Sequence, residues 1–150
     1  MTSLRFKRLV PMALTAHFCV AGAVCLDPAT HLSGYKLPLG SEVRTAEAIL
    51  IGRALSEQGL REDPSDPTGV TAHNVTIEVL ATLKGNPRNL IVIRNENTSS
   101  RYPMSVGEEH VLFISRDAHG LQVDSCGNSG PMPAARQLVK EIETELKSSK

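Results

Sequence analysis

Four histidines lie beyond the first 23 residues, His31, His73, His110 and His119, and none belongs to an H-x-x-x-H or Cys-x-x-Cys pair. Spacing therefore supplies no metal site, and each reads as a surface or loop residue. Glu108-Glu109-His110 would gather acid and base groups, but adjacent strand residues point to opposite faces, so the cluster reads as solvated edge charge. The stretch Ser125-Cys126-Gly127-Asn128-Ser129-Gly130 has the composition of a nucleophile turn without the G-x-S-x-G spacing or a strand-to-helix context. Ser125, Asn128 and Ser129 read instead as side chains that satisfy backbone groups in a turn. No glycine-rich phosphate loop of either common spacing is present. The expectation is a protein that is not an enzyme, with no catalytic residue, cofactor or metal. Asn74-Val75-Thr76 and Asn97-Thr98-Ser99 match the glycosylation acceptor pattern, the first inside an expected strand.

Length and charge narrow the class further. A chain of 150 residues carries one core and not two. Arg5, Lys7 and Arg8 precede a mainly apolar run from Leu9 to Val20, and Ala21-Gly22-Ala23 offers small residues to a signal peptidase. Residues 1–23 are expected to be a secretory signal peptide and 24–150 the folded domain, which places the product outside the cytoplasm, periplasmic or secreted. Pro11, Thr15 and His17 interrupt an apolar run already shorter than the ~20 residues of a bilayer span, so no membrane span is expected after cleavage. All three basic residues of the leader precede any acid, and their loss leaves 13 basic against 16 acidic residues, a net charge of −3. With that charge, and with only Tyr35, Tyr102 and Phe113 as aromatics, the domain is a poor match for nucleic acid.

Of the three cysteines, Cys19 falls in the leader. The remaining even count suggests one disulfide, Cys25 to Cys126, closing a loop of about 100 residues worth up to ~4.7 kcal/mol in the chain-entropy model. The alternative is two unpaired thiols in a reducing compartment.

The elements that must position these residues are mostly strands. Gly107 to Pro131 predicts a hairpin, His110 to Ser115 and Leu121 to Asp124 around the turn Asp117-Ala118-His119-Gly120, after which the glycines and Pro131 lead the backbone out of the sheet. Ala48 to Leu55 predicts a strand buried on both faces with a bulge or bend at Gly52, and His73 to Leu83 a strand with Val75, Ile77 and Val79 on one face. Leu90 to Ile93 predicts a third strand, apolar on both faces. Leu26 to Gly40 reads as an extended arm, Ser41 to Glu47 as a helical turn with Ser41 as cap, and Glu57 to Thr71 as a long hairpin loop. Ala135, Leu138, Val139, Ile142 and Leu146 form one stripe of a C-terminal helix whose commonest use is docking onto its own sheet, with Glu145 among the residues facing away. The fold class is mainly β with a C-terminal α-helix, and five short strands suit a partly open barrel of the oligonucleotide/oligosaccharide-binding (OB) type.

The order of four motifs resembles the bacterial tissue-inhibitor-of-metalloproteinase-like (TIMP-like), or netrin-like, proteins over roughly residues 25–135. These are the apolar strand ending in Gly52-Arg53, the Leu83-Lys84-Gly85 turn, Val106-Gly107 ahead of the strand from His110, and Asp124-Ser125-Cys126-Gly127-Asn128-Ser129 before Pro131. The resemblance implies an exported, disulfide-stapled OB-like barrel that binds a protein without catalysis. It implies, as the alternative, an inhibitor of an extracytoplasmic metalloprotease with Cys25, Leu26 and Asp27 as the inhibitory wedge. The chain departs from the family in lacking a cysteine in the segment Asn97 to Tyr102, and Cys25-Leu26-Asp27 stands where the animal inhibitors have Cys-x-Cys. The arm from Leu26 to Gly40 and the loop from Glu57 to Thr71 are the expected binding segments, and the resemblance implies that they form one surface beside the disulfide.

Overall fold

Side chains alternate across a strand, so an unbroken apolar run serves two cores at once. Ala48–Ile51 does this in the computed structural model, which describes residues 25–148; the expected signal peptide lies outside them. Ala48, Leu50 and Ala54 point into one buried cluster with Val75, Ile77, Ile91, Ile93, Leu112 and Ile114, while Ile49 and Ile51 join a second with Val111, Phe113 and Ile142. The first fills the inside of a strand ring; the second is the layer between that ring and two helices.

In chain order the elements are α1 (Leu39–Thr45), β1 (Ala48–Leu60), β2 (Ala72–Lys84), β3 (Leu90–Glu96), β4 (Glu109–Asp117), β5 (Gly120–Val123), β6 (Gly130–Pro131) and α2 (Arg136–Ser148). The sheet runs β1-β2-β3-β5-β4, and β4 pairs back onto β1 from Ala48↔Ile114 to Arg53↔Glu109, closing five strands into a ring. Every junction is antiparallel except β3–β5, which is parallel and consists of the single pair Ile93↔Leu121. Closing a ring this small bends β1 sharply. Its register with β2 shifts between Ile51 and Gly52, where a Cβ would collide with the Ile77 side chain and stand 2.9 Å from Leu50 Cδ1. Glycine is the residue that permits this approach.

Several sequence expectations shift. β1 continues to Leu60, because Glu57 to Leu60 pair with Val75 to Ala72, and the loop is confined to residues 61–71. That loop is pinned: Asn97 donates its side-chain amide to Val70 O at 2.8 Å, and Arg94 grips the Glu62 carboxylate. β3 is apolar on both faces as expected, and the structure leaves one of them open: Leu90 and Val92 are 56% and 49% exposed. The chain after Cys126 does not leave the sheet, since Gly130 and Pro131 pair with Val111 and His110. α1 begins two residues earlier than expected, with Pro38 and not Ser41 at its cap; Pro38 O accepts the N–H groups of Ser41 and Glu42. Lys84 closes the other end of α1, its Nζ donating to the carbonyls of Val43, Arg44 and Ala46 at 2.7–2.8 Å.

α2 carries the expected stripe. Ile142 is fully buried, and Leu138, Val139 and Leu146 pack around it against the outer face of β1 and β4. Glu145, expected to face solvent, is half-buried beside Gly40 of α1. Replacing Ile142 by Asp removes buried apolar contact and desolvates a charge. A loss of about 3–5 kcal/mol in urea-denaturation stability is expected, and an unchanged midpoint would mean that the helix is not docked.

Candidate functional site

The expected disulfide is formed: Cys25 and Cys126 are bonded, with their Cα atoms 5.5 Å apart and a sequence separation of 101. Around Cys126 the backbone turns tightly, with Asp124 Oδ1 accepting Cys126 N–H at 2.8 Å and Asp124 O accepting Gly127 N–H at 3.1 Å. Ser129 and Asn128 do satisfy backbone groups, but in β4 and the arm and not within the turn itself. Ser129 Oγ accepts Phe113 N–H at 3.0 Å, and Asn128 donates its side-chain amide to Leu37 O at 2.8 Å.

What sequence reading missed here is Glu42. Only 7% exposed, its carboxylate accepts both the backbone N–H and the side-chain amide of Asn128 at 2.7 Å. Gly127 leaves the room for it, since a Cβ there would overlap Glu42 Oε1. Burial pushes the Glu42 carboxyl above the ordinary range, against the two Asn128 donors that favour its charge. A helix-face glutamate next to a valine gives no sequence signal of such a role.

The Cys25 arm hangs from this turn. Cys25 O accepts Tyr35 N–H at 3.1 Å, Leu37 N–H reaches Cys126 O at 3.1 Å, and Leu26 bridges Ser33. Asp27 makes the reversal: its Oδ1 accepts the N–H groups of Ala29 and Thr30, both at 2.8 Å, which hold its carboxyl below the usual range. Leu26 and Leu32 stand out from this small hairpin, 52% and 69% exposed. The hydrogen bonds of the 61–71 loop run instead to residues 60, 94 and 97, so the two segments expected to share a surface are anchored at different places.

The histidines divide. His31 and His119 are exposed in turns, but His110 is 2% exposed and lies inside the ring. Glu108 is two residues away and therefore on the same face, so its carboxylate reaches His110 Nε2 at 3.4 Å; the sequence contained that spacing. A carboxylate only accepts, so Nε2 carries the proton and Nδ1 accepts the Tyr102 O–H at 2.8 Å. Asn95 fixes Tyr102 from behind through its backbone, at 2.8 and 3.1 Å. Burial holds the His110 imidazole below its ordinary range, opposed by Glu108, and lifts the Tyr102 phenol well above its own. His73 is in β2 and half-buried; its Nδ1 lies 2.9 Å from the Glu57 carboxylate, which also pairs with Arg101. Among the described residues no group of three His, Cys, Asp or Glu side chains is placed to hold a metal ion, and no helix is long and apolar enough to cross a membrane. No protein-family model and no curated protein matches the chain.

Two expectations follow. Asn128→Ala keeps the backbone N–H but takes the side-chain amide from both the buried Glu42 carboxylate and Leu37 O, and should cost about 1–3 kcal/mol at neutral pH, read by chemical denaturation. A smaller loss at lower pH is expected, because protonation relieves Glu42. For His110 the folded-state pKa lies below the unfolded value, so its contribution is complete above about pH 6.5 and declines as pH falls through the folded value. Stability measured from pH 7.5 to 5 should therefore drop more steeply in the parent than in His110→Gln, and parallel curves would exclude the effect.

Proposed function

We propose that the chain is an exported, non-catalytic protein-binding module of the TIMP-like, netrin-like type, built on an OB-like barrel. The closed order β1-β2-β3-β5-β4, with its one parallel junction, supports the barrel, and the long-range disulfide supports an extracytoplasmic location. The observation that carries the binding reading is the Cys25 arm. It is a small hairpin fixed at its base by the disulfide and at its tip by Asp27, and it holds two leucines out of the surface. Apolar side chains on a backbone already ordered lose little further entropy when a partner covers them.

The same arm weighs against the inhibitor alternative. Chelation of a protease zinc would need the Cys25 carbonyl turned toward the partner, whereas it faces into the hairpin, where it accepts Tyr35 N–H, and Oδ1 of Asp27 accepts from Ala29 and Thr30. Contact by Leu26 and Leu32 leaves both turns intact. A Leu26→Asp/Leu32→Asp double variant should melt at the parent temperature and lose capture of its protein partner from an extracytoplasmic extract. Deletion of residues 63–68 should leave capture unchanged. Full capture by the double variant would remove the arm from the binding surface, and turnover of a hydrolase substrate lost on Ser125→Ala would overturn the non-catalytic reading.

A further inference from the structure

β3 is paired along its length on one side only. Leu90, Ile91 and Val92 face Glu78, Ile77 and Thr76 of β2, but among the described residues the other side of β3 meets a strand only at Ile93↔Leu121. The reason is length: β5 has four residues and starts at Gly120, directly out of the turn that follows β4, so it never extends back toward Leu90. A cleft of about 520 Å³ occupies the missing strand's place. Its inner wall is the end of the ring interior, with Ala48, Ile91, Ile114 and Leu121. Leu90 and Val92 border it with exposed apolar side chains.

The rim is basic. Arg116 is held at the cleft's β1–β4 wall by a two-pronged pair with Glu47 at 2.7 and 2.9 Å, which leaves its charge balanced. Arg88 also lines the cleft, is exposed, and among the described residues has no ion-pair partner. An open strand edge recruits another strand through its main-chain groups, and the pockets beside it select alternate side chains.

We propose that the β3 edge at Leu90–Val92 takes up an extended peptide segment of another protein, apolar at its centre and acidic at one end. The peptide backbone pairs with β3, its central side chain fills the mouth formed by Ala48, Ile91, Ile114 and Leu121, and its carboxylate pairs with Arg88. A second copy of the chain does not meet this requirement, because the edge segment from Arg88 to Val92 contains no carboxylate to answer Arg88. The site is separate from the arm and stands or falls independently of it.

The test uses the mature, oxidised protein and an array of pentapeptides with Val, Ile, Leu or Phe at the centre and Asp or Glu at either end, read by fluorescence polarisation. Binders with Kd below about 1 mM are expected, weakened about tenfold or more when alternate peptide amides are N-methylated. Arg88→Glu, an exposed change whose melting temperature provides the folding control, should weaken them by a similar factor, and Leu90–Val92 amides should gain hydrogen-exchange protection. Absence of any binder in the array, indifference to N-methylation, or undiminished affinity in Arg88→Glu overturns the proposal. So does octanoate binding in the cleft with the peptides excluded, or a sedimentation dimer whose interface is this edge.

Discussion

A carboxylate out of water needs donors, and Glu42 finds both of its donors on Asn128. This one requirement joins parts of the chain that have no other reason to meet. α1 supplies the acid, the turn after β5 supplies the amides, and Asn128 passes the constraint on to Leu37 at the base of the arm. Ser129, next along, ties the same turn to β4 at Phe113. The disulfide therefore sits within a turn already held from three sides, and the arm inherits that rigidity. Pairing a buried charge in this way brings little net stability compared with an apolar substitute. What it fixes is geometry, because the carboxylate has no comparable partner if the turn shifts.

The ring imposes the second constraint. β1 is paired on both edges and buried on both faces along its first half, so its sequence has almost no freedom there: small or apolar residues inward, isoleucines outward, and glycine where β2 comes too close for a side chain. Beyond Ala54 the strand projects past the ring, its burial ends, and polar residues take over. Lys84 then fastens α1 to the far end of β2, so the helix is held at one end by a cation and near the other by its own anion.

Legibility followed the reach of each interaction. The double burial of Ala48–Ile51, the stripe of α2 and the pairing of Cys25 with Cys126 are local patterns or matters of counting, and all three were readable. Glu57–Leu60 was misread as loop because its pairing partners are in β2, and polar residues in a projecting hairpin look like a turn. Leu90 to Ile93 was legible as a strand apolar on both faces, but not the exposure of Leu90 and Val92, because an apolar run does not say how long the neighbouring strand is. Glu42 was invisible, since its partner is 86 residues away. His110 was a missed inference of a different kind: the two-residue offset from Glu108 was in the sequence, and only the assumption of an exposed edge hid it.

The disulfide draws a covalent circle, and where the circle closes has a consequence for how the molecule comes apart. α1 and the five ring strands lie within the segment from Cys25 to Cys126; β6 and α2 lie beyond it. Detaching α2 opens no loop and gains only the freedom of a tail, whereas opening the ring must work against a chain tied at both ends. The covalent closure thus bears on α1 and the ring and not on α2. The helix covers Ile49, Val111 and Phe113 from outside the closed loop, and its departure would expose the outer core of a sheet that remains covalently closed.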